Sequence, residues 1–234
     1  MNFSVSPEIV LLSLVGGIIP AVIWLLFWLR EDSARPEPRG LIMLTFFAGM
    51  LAVPLVILFE RFVQMPESRT LTFILWATLE ELFKFGVAYI VALRRKEDNE
   101  PIDPIIYMMT AALGFAAIEN AIFIFHPLFM GNYTESLITG SVRFIGASLL
   151  HTIASASIGV AMGLSFYLGR ISKKIDLFLG IIFAITLHSI FNLFIIKEES
   201  GITFATLGFV WISIVILMLF FEIVKKIYPV QNKF

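Results

Sequence analysis

The feature that most limits the fold of this chain is a series of seven apolar stretches, each about as long as a membrane is thick. A hydrocarbon core of about 30 Å requires roughly 20 residues of α-helix. Such stretches occur at residues 7–29, 41–59, 71–93, 104–126, 145–168, 177–196 and 202–224. We therefore predict an all-α polytopic membrane protein, a bundle of about seven transmembrane helices in a single domain covering residues 1–234.

Composition agrees with an environment of lipid. Hydrophobic residues make up 59% of the chain and charged residues 15%, whereas soluble domains carry about 25% charged residues. The formal net charge of −1 does not indicate nucleic acid as a partner, and the partner expected from the apolar composition is the lipid bilayer. Because the chain contains no cysteine, disulfides, thiolate metal sites and a cysteine nucleophile are excluded.

Basic residues are distributed unevenly between the loops. The first, third and fifth loops and the C-terminal tail contain twelve, and the alternate loops contain only Arg61, Arg69 and Lys197. Basic residues are retained on the cytoplasmic side of a membrane. We therefore expect the N-terminus outside and the C-terminus in the cytoplasm.

One apolar segment is longer than a single span needs. From Leu137 to Leu168 a continuous helix would measure about 48 Å at 1.5 Å per residue. We expect its first part, around Arg143, to lie near the membrane surface. Snorkelling of the guanidinium to the outer rim is the favoured role for Arg143, with a contact to substrate as the alternative.

Four consecutive helices contain polar side chains where lipid or apolar neighbours are expected. Each charge near the bilayer centre costs about 2.5 to 3.5 kcal/mol on insertion scales, so such residues usually have a function. Glu80 and Lys84 are four residues apart and can pair, whereas Glu81 points about 100° away from Glu80. The polar residues of the four helices are Glu80, Glu81 and Lys84, then Glu119 and Asn120, then His151, then His188 and Asn192.

These polar residues have similar expected depths. At 1.5 Å per residue, Glu80 lies about 14 Å, Glu119 about 11 Å, His188 about 12 Å and His151 about 9 Å below the outer helix ends. Unrelated structural polar residues have no reason to share a layer. We therefore predict one site, built from four helices, in the outer half of the membrane.

Two chemistries fit this set of residues. A glutamate can take a proton from water while imidazole or amide groups stabilise an oxyanion. Alternatively, His151, His188 and Glu119 could hold one Zn²⁺ ion with water in its open position. The sequence contains no His-Glu-x-x-His motif, and Asn192 is typical of an oxyanion hole. We favour glutamate-activated water without a metal and keep one zinc ion as the alternative.

The motifs Glu80-Glu81-x-x-Lys84, Phe115-x-x-x-Glu119-Asn120, His151 and His188-x-x-x-Asn192 resemble those of the PrsW family of bacterial intramembrane proteases. They resemble the CAAX prenyl endopeptidases more distantly, and Pro36-Glu37-Pro38 is similar to the acidic-proline loop of the PrsW family. The resemblance implies a multi-pass protease of the bacterial inner membrane with a membrane-bound protein as substrate. PrsW proteases make the first, extracytoplasmic cut in membrane-bound anti-sigma factors. The implied catalytic residues are Glu80, Glu81, Glu119, His151, His188 and Asn192, supported by Lys84 and Asn120.

The chain departs from the prenyl endopeptidases in two places. Those enzymes have a histidine where Glu119 stands and an arginine, at longer spacing, in place of Lys84. We therefore do not expect prenylated substrates. Two other functions stay open at this point: a proton-coupled transporter or channel, because intramembrane charges also form proton relays, and a non-catalytic membrane scaffold of the same superfamily.

Overall fold

The structure, a computed structural model, describes residues 6–32, 35–197 and 204–228. A 3₁₀ turn, Leu29–Asp32, follows the first helix, and a π-helical turn, Tyr89–Leu93, follows the third. The described residues contain no strand. The α-helices are α1 Pro7–Trp28, α2 Arg39–Glu60, α3 Arg69–Ala88, α4 Asp103–Phe129, α5 Tyr133–Ile145, α6 Ala147–Leu164, α7 Arg170–Lys197 and α8 Phe204–Val224.

Six helical segments of the described chain are long and apolar enough to cross a membrane, if α5 and α6 are taken together. The remaining helix, α3, brings the number of segments to seven. It has 20 residues, or about 30 Å, and it contains the buried charged residues Glu80, Glu81 and Lys84. The predicted all-α polytopic membrane fold is therefore confirmed.

Local sequence signals explain where several helices begin. Ser6 precedes α1, and its hydroxyl accepts a hydrogen bond from the backbone amide of Glu8. Ser68 caps α3 and Asn132 caps α5 in the same way. Each cap satisfies one backbone donor that the first helical turn leaves unpaired.

Helix α4 occupies the centre of the bundle and packs against α1, α2, α3, α5 and α6. Its side chains are buried without interruption from Asp103 to Ala117. A Cβ atom at Gly159 of α6 would lie 2.5 Å from the Cα atom of Ile105. A small residue is therefore required where α6 crosses α4, as is common between membrane helices.

The fifth predicted span differs from the structure in a way that matters for the site. The segment around Arg143 forms a separate helix, α5, and the chain bends at Gly146 before α6 begins. The predicted break before the sixth span is also shorter, because α7 begins at Arg170. The predicted start of the last span at residue 202 lies outside the described residues.

Candidate active site

The structure brings polar residues from α3, α4, α5, α6 and α7 into contact inside the bundle. We call this group the polar centre: Glu80, Glu81, Lys84, Glu119, Asn120, Arg143, His151, Ser155 and His188. The imidazole rings of His151 and His188 lie 4.9 Å apart at 83°. The four helices whose polar residues share an expected depth thus contribute to one site, and α5 adds Arg143.

Both histidines direct one ring nitrogen toward Glu80. Nδ1 of His151 lies 3.8 Å, and Nε2 of His188 3.7 Å, from Oε2 of Glu80. The other ring nitrogen of each histidine contacts a different carboxylate. Nε2 of His151 is 2.7 Å from Glu119, and Nδ1 of His188 is 2.8 Å from Glu81. Two carboxylates therefore fix the orientation of the rings that face a third.

Lys84 provides the buried positive charge of the polar centre. Its Nζ atom lies 2.8 Å from Glu81 and 3.4 Å from Glu80. The expected Glu80–Lys84 pair thus exists, but Glu81 is the closer partner. Lys84 also donates to Nδ1 of His151 at 2.7 Å. Because an ammonium only donates, Nδ1 of His151 is the unprotonated nitrogen that accepts this hydrogen bond, and Nε2 carries the proton.

Glu81 is held more firmly than Glu80. The Glu81 side chain is fully buried and accepts from Lys84, from His188, and from the hydroxyl of Ser155 at 2.7 Å. Such complete pairing offsets the cost of burying a carboxylate. The closest contacts of Glu80 with charged or imidazole groups are 3.4 to 3.8 Å long. Glu80 is therefore the carboxylate of the pair that is available for another ligand.

Sequence reasoning missed the role of Arg143. Its guanidinium donates to Oε2 of Glu119 and to Oδ1 of Asn120, both at 2.6 Å, and stacks 3.9 Å from the ring centre of Phe123. Asn120 in turn donates to Ser148 at 2.8 Å. Arg143 lies on α5, which packs against α4. The available signal was a single charged residue in an otherwise apolar stretch, eight positions before His151.

Asn192 lies one turn after His188 on α7 and is half-buried. Within the described part of the chain, the structure shows no hydrogen bond between Asn192 and the polar centre. The role that the resemblance implied for Asn192 therefore stays a prediction.

The polar centre has one edge that is exposed at the surface of the bundle, and we call it the open edge. The side chains of Glu119 and Arg143 are 21% and 15% exposed, whereas those of Glu81 and Lys84 are fully buried. An apolar cavity of about 690 Å³ lies between α6, α7 and α8. Its lining includes Ile153 and Leu187, which are close in sequence to the two histidines, but no member of the polar centre.

The geometry fits a metal ion held by Glu80, His151 and His188. One ligand atom from each lies within 4.8 Å of the others, and all three residues are buried. Ligands of a tetrahedral zinc ion, at about 2.0 to 2.2 Å from the metal, lie about 3.4 Å from one another. Glu80 takes the place in this group that the sequence analysis gave to Glu119. Glu119 instead orients His151 through the ring nitrogen that faces away from Glu80.

Comparison with known proteins gives a consistent result. The model of a family described as "PrsW family intramembrane metalloprotease" matches residues 37–221. The chain is similar to "Protease PrsW" of Oceanobacillus iheyensis, with 31% identity over 81% of this chain and 85% of that protein. It is also similar to "Protease PrsW" of Halalkalibacterium halodurans, with 27% identity over 86% of this chain and 93% of that protein. No solved structure matches the chain.

Proposed function

Because the chain belongs to the PrsW family of intramembrane metalloproteases, we propose that it hydrolyses a peptide bond of a membrane-bound protein at the polar centre with one zinc ion. The sequence prediction of an intramembrane protease is confirmed at the level of the family. The metal-free alternative that the sequence analysis favoured becomes the second candidate.

One observation carries the zinc proposal. Each histidine directs one nitrogen toward Glu80 and the other toward a separate carboxylate. A carboxylate behind each histidine is the usual outer shell of a zinc site, because it fixes the tautomer and raises the basicity of the ligating nitrogen. A water molecule alone requires no such outer shell.

Lys84 competes with an ion for two of the three proposed ligands, His151 and Glu80. Its ammonium faces the lone pair of His151 and the Glu80 carboxylate, so the site attracts positive charge. Binding of an ion there requires the hydrogen bond between Lys84 and His151 to break. The ion pair of Lys84 with Glu81, at 2.8 Å, can remain.

The chain's own residues have distinct roles in this proposal. Glu80, His151 and His188 hold the ion, which would supply an activated water and polarise the scissile carbonyl. Glu81 and Glu119 orient the two imidazoles. Arg143 and His151 both contact Oε2 of Glu119, so Oε1 is the oxygen left to accept a proton from water at the open edge. Asn192 is the candidate donor to the oxyanion.

The substrate we propose is a single-pass membrane protein cut near the extracytoplasmic face in a bacterial inner membrane, with an anti-sigma factor as the first candidate. The support is the position of the open edge. Glu119 lies nearer the C-terminal end of α4, and the loop that follows α4 belongs to the sparsely basic side. The positive-inside rule assigns that side to the cell exterior.

Metal analysis of the purified protein tests the mechanism. We expect one zinc per chain, loss of cleavage of a co-reconstituted single-pass substrate after chelation, and recovery with Zn²⁺. Glu80→Gln should lower the zinc content, while Glu67→Gln, an exposed control in the loop before α3, should not. Full activity in metal-stripped protein would instead establish glutamate-activated water.

Labelling of introduced cysteines tests the orientation. The chain has no cysteine of its own, so Glu67→Cys and Glu97→Cys each give a unique thiol on opposite ends of the bundle. A membrane-impermeant maleimide should label Cys at position 67 in intact cells and at position 97 only after permeabilisation. The reverse pattern would refute the extracytoplasmic site.

A further inference from the structure

Three carboxyl groups meet at the end of the bundle opposite the open edge of the polar centre. They belong to Asp32, at the end of the 3₁₀ turn after α1, to Glu37, just before α2, and to Asp103, the first residue of α4. One oxygen of each lies within 4.8 Å of the others. Sixteen positions on α4 separate Asp103 from Glu119, or about 24 Å. We call these three residues the acidic cluster.

Two buried carboxylate oxygens of the acidic cluster have no hydrogen-bond partner. Asp103 is 1% exposed, and its Oδ2 accepts the backbone amides of Asn99 and Glu100 at 2.8 and 2.7 Å. The other oxygen, Oδ1, is buried and unpaired. Asp32 is 5% exposed, and its Oδ2 is also buried and unpaired. Leaving a buried charged oxygen unpaired is costly, so such atoms normally have a ligand.

Lys225 is close enough to Asp32 for its charge to lower the pKa of that carboxyl, but no ion pair joins a side-chain cation to Glu37 or Asp103 in the part of the chain that the structure describes. The nearby Arg35 pairs instead with Glu100, at the rim. Tyr107 donates a hydrogen bond to Glu37. Burial and the neighbouring carboxylates raise the pKa of Asp32 to about 7, although Lys225 opposes this, and the pKa of Glu37 to about 8, as expected for buried negative groups whose charge is only partly compensated.

The chemistry of the ligands indicates what would compensate them. The acidic cluster offers only oxygen atoms, from three carboxylates and one phenol, with neither imidazole nor thiolate. Hard divalent cations prefer such a set, whereas zinc and copper prefer nitrogen and sulfur. We propose that the acidic cluster binds one Mg²⁺ or Ca²⁺ ion, which ties the ends of α1, α2 and α4 together.

Manganese is a suitable probe, because it has the same preference for oxygen ligands and its free ion gives an electron paramagnetic resonance signal. The full-length protein in nanodiscs would be titrated with Mn²⁺ in the Glu80→Gln background, which removes one ligand of the proposed zinc site. We expect one Mn²⁺ bound per chain, with affinity at least tenfold weaker in Asp103→Asn. Glu97→Gln, which removes a charge from the same end outside the acidic cluster, should bind as the parent does.

Competition then identifies the ion: displacement of Mn²⁺ at lower concentration by Mg²⁺ or by Ca²⁺ names the preferred one. The proposal is overturned if the parent binds no Mn²⁺ at millimolar concentration, if Asp103→Asn binds equally well, or if neither competitor displaces the probe. Shared protons would then neutralise the acidic cluster. Should Asp103→Asn fail to fold, Asp32→Asn is judged by the same criteria.

Discussion

Buried charged groups have partners near one end of α4 and lack some of them at the other. In the polar centre, Glu119, His151 and Lys84 all have partners, and none of the buried unpaired side-chain atoms of the described chain belongs to it. At the other end, oxygens of Asp32 and Asp103 are buried without partners. A self-contained network of charges holds its shape before any ligand binds. In the acidic cluster the charge of Lys225 near Asp32 offsets only part of the negative charge, so a proton or a bound cation is still needed.

The largest effect should come from Glu80, the least firmly held carboxylate of the polar centre. We expect Glu80→Gln to reduce cleavage by 10²-fold or more, because the amide neither binds zinc well nor accepts a proton from water. The fold should survive, since the buried ion pair between Lys84 and Glu81 remains. Cleavage rate and protein abundance in membranes give the measurement. Normal cleavage at normal abundance would show that Glu80 is not part of the chemistry.

Removal of the central cation should damage stability rather than chemistry alone. Lys84→Met leaves the fully buried Glu81 without its closest cation, and breaking a buried pair costs about 3 to 5 kcal/mol. Thermal unfolding in detergent, or the yield of folded protein, measures the loss. Lys96→Met, at an exposed position, is the matched control. A stable Lys84→Met protein would mean that the network of the polar centre is not needed for folding.

A smaller effect on activity is expected at the open edge. Arg143→Lys keeps the charge but cannot hold Glu119 and Asn120 at once, because the guanidinium makes these two contacts with different nitrogens. We expect cleavage to fall about tenfold, the scale of a lost orienting contact around a metal site. Arg61→Lys, on an exposed residue, should have no effect. Equal cleavage rates in both variants would favour the role predicted from the sequence, in which Arg143 only extends to the membrane surface.

The smallest effect should occur at the acidic cluster when no divalent cation is present. Asp103→Asn can still accept the two backbone amides and removes one uncompensated charge. We expect the free energy of unfolding in chelator to stay within about 1 kcal/mol of the parent, or to rise. Thermal unfolding with and without chelator measures this. A loss comparable to that of Lys84→Met would erase the contrast between the two ends.

Sequence reasoning reached the fold because each span must satisfy its own backbone hydrogen bonds within the bilayer. It also grouped Glu80, Glu119, His151 and His188, since helix rise converts sequence position into depth. It could not decide whether Glu80 or Glu119 faces both histidines, because that depends on the rotation of each helix and on the ring nitrogen used. Arg143 was missed because its contacts depend on how α5 packs against α4.

The acidic cluster escaped sequence reasoning for a related reason. Asp32, Glu37 and Asp103 lie at helix ends, where charged residues are ordinary. Only the packing of α1, α2 and α4 brings their carboxyl groups together and removes them from water.

The completely buried middle of α4 has a consequence for the energetics of the cell. Between Tyr107 and Glu119, this helix presents side chains such as Met108, Met109, Leu113 and Phe115, all 2% exposed or less. No hydrogen bond in the described part of the chain links the polar centre to the acidic cluster. We therefore expect any water that reaches the open edge to stop short of the acidic cluster. If so, the protein should hydrolyse its substrate without conducting protons across the membrane.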